Sequence, residues 1–114
     1  MRFHFDCVFY YVSNMDRAIT FYSDVLGLKL ISRDVVARFD IDGVLFELVP
    51  GLDEAKPGRG GNGRLCLKVG DIGQAIEYLR SKTDRVGEIR KVENGRLASC
   101  EDPDGNEICL WQYD

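Results

Sequence analysis

Val8-Phe9-Tyr10-Tyr11-Val12-Ser13-Asn14-Met15-Asp16-Arg17-Ala18-Ile19-Thr20-Phe21-Tyr22 reads as a strand that runs directly into a capped helix. Residues 3–12 are rich in aromatic and β-branched side chains, which suit a pleated, half-buried surface. Asn14 is a good N-cap, and Met15, Ala18, Ile19 and Tyr22 follow at the spacing of one helical face. Gly27 offers the left-handed residue that ends such a helix. The pattern returns as Leu65-Cys66-Leu67-Lys68-Val69-Gly70-Asp71-Ile72-Gly73-Gln74-Ala75-Ile76-Glu77-Tyr78-Leu79. A shift of 57 positions carries Val12 onto Val69, Asn14 onto Asp71, Ala18 onto Ala75 and Ile19 onto Ile76.

The stretches behind each helix repeat as well. Residues 28–33 and 36–41 read as strands, and Asp42-Gly43 marks a two-residue hairpin into a third strand at 44–49. In the second half, residues 86–93 and 96–101 read as strands joined by an Asn94-Gly95 turn. Asp102-Pro103-Asp104-Gly105 then turns the chain into a last strand at 107–113. A shift of 62 takes Asp42-Gly43 to Asp104-Gly105 and Leu48 to Leu110. The chain is therefore expected to be α+β, built from two βαβββ modules related by internal duplication. Module 1 spans 1–49, a connector 50–63, and module 2 64–114, together forming one domain. The connector contains Gly58-Arg59-Gly60-Gly61-Asn62-Gly63, but it follows a proline turn and opens a strand. A phosphate loop should open a helix, so a connector or lid is expected.

The net charge of −4 lacks the basic stripe that nucleic acid needs, and mildly favours neutral or cationic small molecules. No apolar run approaches the roughly 20 residues of a membrane span. Met1 to Asp6 does not read as an export signal, so a cytoplasmic setting is expected, with the four cysteines kept as thiols.

Strand parity sorts the side chains. Val8, Tyr10 and Val12 share one face of the first strand, with Leu65, Leu67 and Val69 their counterparts, and this aliphatic face should lie under the helices. Cys7, Phe9 and Tyr11, like Arg64, Cys66 and Lys68, share the other. Across the Asp42-Gly43 hairpin Glu47 should oppose Arg38, and Leu45 should oppose Asp40. Glu47 corresponds to Cys109, on the face of Glu107, Trp111 and Tyr113, and Ala98 and Cys100 are expected to join that face. All four cysteines (7, 66, 100 and 109) would then lie on the side away from the helices.

With these residues in place the chain resembles the vicinal oxygen chelate superfamily of glyoxalases, extradiol dioxygenases, fosfomycin-resistance enzymes and bleomycin-resistance proteins. The resemblance rests on Val12 to Tyr22 followed by Leu26-Gly27-Leu28, on Phe46-Glu47-Leu48, and on Asp102-Pro103-Asp104-Gly105-Asn106-Glu107-Ile108. It implies a curved mixed sheet around a cup, and a homodimer that can exchange modules between chains. It also implies a divalent cation at four positions, which match Cys7, Glu47, Arg64 and Cys109 here. Only Glu47 is the residue type usual in the family, and the single histidine, His4, lies outside the motif.

Arg64 stays protonated and cannot be a ligand. Two readings of the remaining positions stay open. Cys7, Glu47 and Cys109 could hold a divalent metal such as zinc, with Glu47 as ligand or catalytic base. Alternatively, Glu47 pairs with Arg38 or Arg64 and the thiols are small wall residues. A nucleophilic role for Cys66 or Cys7 lacks a histidine base. Phe9, Tyr11, Trp111 and Tyr113 could form an aromatic wall for a flat or cationic ligand, or fill the cup or a dimer interface. The leading expectation is a cofactor-free protein that sequesters a small molecule, with Phe9, Tyr11, Arg38, Arg64, Cys66, Trp111 and Tyr113 around it. A metal-dependent lyase, isomerase or dioxygenase is the second, and a dimeric regulatory module with a closed cup is the third.

Overall fold

The computed structural model describes residues 1–2, 4–51 and 64–114, so Phe3 and nearly all of the connector lie outside the described residues. The chain divides into two compact units, Met1–Gly58 and Arg59–Asp114. No helix among the described residues is long and apolar enough to cross a membrane.

In the first unit β1 (Val8–Val12) leads into α1 (Met15–Ile19), a π-helical continuation (Thr20–Val25), β2 (Lys29–Arg33), β3 (Ala37–Ile41) and β4 (Val44–Pro50). The Asn14 side chain accepts a hydrogen bond from the Arg17 amide at 3.0 Å, as an N-cap does. The helix widens at its end, where the Leu26 amide reaches back five residues to the Phe21 carbonyl at 3.0 Å. Gly27, at φ 71°, stops it. The strand order is β1-β4-β3-β2, with β1 parallel to β4 and the other pairs antiparallel. Asp42 and Gly43 both take positive φ, as a type I′ turn requires, so Arg38 opposes Glu47 and Asp40 opposes Leu45 as the sequence predicts. The helix-side face holds Tyr10, Val12, Ala18, Tyr22, Phe39, Phe46 and Leu48, all buried. Phe46 lies at its centre, 5.1 Å from Tyr22, 5.8 Å from Tyr10 and 6.1 Å from Phe39 between ring centroids.

The second unit repeats this with β5 (Leu65–Lys68), α2 (Ile72–Arg80), β6 (Arg90–Val92), β7 (Gly95–Glu101) and β8 (Glu107–Tyr113), in the order β5-β8-β7-β6. Asp71 caps α2 by accepting from the Gln74 amide, and Gln112 Oε1 accepts from the Ile72 amide at 2.7 Å, so two of its free N-terminal donors are satisfied. The duplication extends to register. Val8 pairs with Phe46 and Leu65 with Ile108, which the shifts of 57 and 62 superpose.

Three expectations for the second unit are corrected. The strand expected at 86–93 pairs regularly only over Arg90–Val92, with an isolated bridge from Val86 to Cys100. The tight turn is Glu93-Asn94 rather than Asn94-Gly95, because Asn94 takes φ 71° and Gly95 pairs with Val92. Gly95 belongs to β7, where a Cβ would collide with the Gln112 carbonyl oxygen. Most consequentially, Ala98 and Cys100 lie on the buried, helix-side face, while Ser99 opposes Cys109.

The cause is Asp102. Its fully buried carboxylate accepts from the Asp104 amide at 2.9 Å, the Asn106 amide at 2.8 Å and Asn106 Nδ2 at 2.9 Å. These bonds build a longer turn than Asp42-Gly43, from Glu101 round to its partner Glu107. The difference of one in register moves β7 side chains to the opposite face.

Candidate functional site

On the face of the first sheet away from α1, Phe9, Glu47 and Arg38 form one row across β1, β4 and β3. Arg38 Nε donates to Glu47 Oε2 at 3.1 Å, and Cys7 Sγ, just before β1, approaches Glu47 Oε1 at 3.6 Å. Arg38 also reaches Asp34 at 3.2 Å. The Val36 amide and then Arg38 hold the Asp34 carboxyl below its ordinary range, and the Asp34 carboxylate, more than Glu47, raises Arg38 further. Burial, then the Glu47 carboxylate beside it, pushes the Cys7 thiol up and favours its protonated form. Phe9 and Tyr11 stand edge to face at 5.3 Å with about half their surface exposed.

The second sheet presents three rows on the corresponding face. Arg64 Nε bonds Glu107 Oε2 at 2.9 Å. Cys66, Cys109 and Ser99 form the next row, and Lys68, Trp111, Leu97 and Arg90 the third. Arg64, Glu107, Cys109, Ser99, Leu97 and Arg90 line a cleft of about 370 Å³ within this unit. Trp111 and Tyr113 lie 5.3 Å apart between ring centroids, and the buried Trp111 indole N–H has no hydrogen-bond partner among the described residues. Burial first, then the Cys66 thiol beside it, push Cys109 up to about 11, while Arg90 works the other way.

The residues expected to form the site thus fall into separate groups. Cys7, Glu47 and Arg38 come together, Arg64 pairs with Glu107, and Cys66 adjoins Cys109. His4 is exposed, and all four cysteines are unbridged. Glu107, Ser99, Leu97 and Arg90 lay outside the expected site residues. Extending the β5·β8 register by one position would have brought Arg64 opposite Glu107.

A divalent cation at the family positions is a poor fit. Glu47 is committed to Arg38, and a permanent guanidinium, bonded to Glu107, stands at Arg64. Among the described residues no three His, Cys, Asp or Glu side chains are grouped to hold a metal ion. No chemical step is therefore derived through such a metal.

Known proteins bear on the assignment. The structure is similar to lactoylglutathione lyase from Agrobacterium tumefaciens, at 20% identity and a TM-score of 0.77, covering 96% of this chain and 92% of that one. It is similar to an antibiotic-binding protein from a Streptomyces species at 23% identity and a TM-score of 0.76, with both chains covered in full. A fosfomycin resistance protein from Listeria monocytogenes superposes at a TM-score of 0.81 with 15% identity, over 100% of this chain and 96% of that one. In sequence, a probable chloroplastic lactoylglutathione lyase of Arabidopsis thaliana is 29% identical across 90% of this chain, which spans about a third (34%) of that relative's length. The family model of the Glyoxalase/Bleomycin resistance protein/Dioxygenase superfamily matches residues 4–110, and with the duplicated βαβββ register this chain belongs to that superfamily.

Proposed function

We propose that this protein binds and sequesters a small flat molecule, neutral or cationic, without a metal and without transforming it. The observation that carries the reading is the Arg38–Glu47 ion pair, which supplies Glu47 with its countercharge from inside the chain. Arg64, bonded to Glu107, puts a permanent guanidinium at a position where a metal ligand would be needed. What remains for a ligand is apolar and aromatic surface, Phe9 with Tyr11 in the first unit and Trp111 with Tyr113 in the second, in a chain of net charge −4. The antibiotic-binding relative has the same fold and supports this use of it. A homodimer in the cytoplasm is part of the proposal, and sedimentation of the purified chain tests the dimer.

The single tryptophan, Trp111, provides the test. A planar aromatic cation such as an acridinium dye should quench its emission saturably, equally well after exhaustive EDTA treatment, and mass spectrometry should recover the dye unchanged. Binding that vanishes with EDTA and returns with a divalent cation would overturn the proposal.

A second reading, a metal-dependent lyase, is favoured by the sequence match to the probable lactoylglutathione lyase. It requires Glu47 to leave Arg38 and act as ligand or base. Formation of lactoylglutathione that depends on a divalent metal and on Glu47 would establish it.

A further inference from the structure

We propose that Cys66 and Cys109 form a two-sulfur site for monovalent copper. The two residues are directly paired across the parallel strands β5 and β8, and both side chains stand on the face away from α2. The thiols are unbridged, and the Cys66 thiol is among the groups that raise Cys109, so the side chains are neighbours in space as well as in register.

General strand geometry points to the ligand. Strands in a sheet lie about 4.8 Å apart, whereas a disulfide wants its Cβ atoms near about 3.8 Å. A two-coordinate ion between two sulfurs spans two metal–sulfur bonds, on the order of 4.5 Å on the scale of thiolate–metal bonds. Donor number agrees, since no third His, Cys, Asp or Glu joins the two thiols as a ligand among the described residues. Zinc normally asks for four ligands, and a hard cation for oxygens. Monovalent copper is soft and accepts sulfur donors. Ser99 continues the row beyond Cys109 and would not compete for a soft ion.

Each thiol gives its proton to solvent as its sulfur bonds the metal, so two thiolates around one monovalent ion leave a net negative complex. Arg64 and Arg90 line the cleft beside Cys109, together with the carboxylates of Glu88 and Glu107. The copper enters and stays monovalent, so no oxidant or reductant is involved. The site uses no organic ligand and stands independently of the sequestration reading.

The test is anaerobic titration of the fully reduced chain with monovalent copper against bicinchoninate as a coloured competitor. One equivalent should be withheld from the competitor, with new ultraviolet sulfur-to-copper absorption. Cys66→Ser and Cys109→Ser should each weaken retention at least tenfold, while Cys7→Ser and Cys100→Ala retain it, near-ultraviolet circular dichroism confirming that all four fold. A Cys66→Ser/Cys109→Ser double variant that holds copper like the parent would overturn the assignment. So would a parent that yields all its copper, or one that holds zinc in the same competition equally well.

Discussion

Arg38 and Glu47 stand directly opposite one another across β3 and β4, with Nε 3.1 Å from Oε2, and the same carboxylate lies 3.6 Å from the Cys7 sulfur. One carboxylate thus serves a guanidinium and a thiol. The Cys7 thiol is pushed up by burial first and by Glu47 second. Glu47→Gln removes the second cause and leaves the first. Cys7 should then alkylate faster at pH 8, by roughly threefold rather than by orders of magnitude, because only part of the suppressed thiolate returns. Site-resolved alkylation followed by mass spectrometry reads this, and an unchanged Cys7 rate would show that the carboxylate does not govern the thiol.

Phe46 is fully buried among Tyr10, Tyr22 and Phe39, whereas Phe9, on the opposite face, is 45% exposed. Phe46→Ala should cost about 3–5 kcal/mol, a large share of a small protein's stability. Phe9→Ala should cost under about 1 kcal/mol. Urea denaturation separates the two, and equal destabilisation would contradict the assignment of faces.

How far the sequence carried this structure depends on local chemistry. Asn14 and Asp71 are legible because a short polar side chain before an apolar stripe has one dominant use, and both cap a helix. Asp42-Gly43 is legible because two positive-φ residues make a defined turn, and that turn fixed Glu47 against Arg38. Asp102 was not legible in the same way. Its carboxylate folds inward to bond Asp104 and Asn106, and that internal bonding lengthens the turn and puts Cys100 under the helix rather than beside Cys109. A tertiary burial decision of this kind leaves no periodic trace. Glu107 as the partner of Arg64 was missed for a related reason, since it depends on a register one position before the first paired residue of β5.

The Asp102 turn makes its own prediction. Asp102→Ala strips three hydrogen bonds from a fully buried site and leaves the Asp104 and Asn106 amides without their acceptor. Unsatisfied buried donors cost about 1–3 kcal/mol each, so a loss of at least about 3 kcal/mol is expected. Asp102→Asn keeps an acceptor for the two amides and should lose clearly less. Denaturation midpoints for the pair check the order, and an equal loss for both would show that volume rather than hydrogen bonding matters here.

The buried thiols predict an alkaline weakness. Burial pushes Cys100 up to about 11, with Asp102 adding to the shift, and burial and Cys66 bring Cys109 to about 11 as well, against 9.0 for an unperturbed thiol. Folding raises both values, so the folded chain keeps protons that the unfolded chain releases between pH 9 and 11. Their contribution is fully present below pH 9 and is lost as pH rises towards 11. The parent's stability should therefore fall across that window with a slope approaching about two protons from these groups. Cys100→Ala loses some packing at every pH but removes one of the two groups, so its stability should fall less steeply and converge on the parent's near pH 11. Urea titrations at several pH values between 8 and 11 compare the two profiles, and parallel curves would show that the Cys100 thiol does not carry the effect.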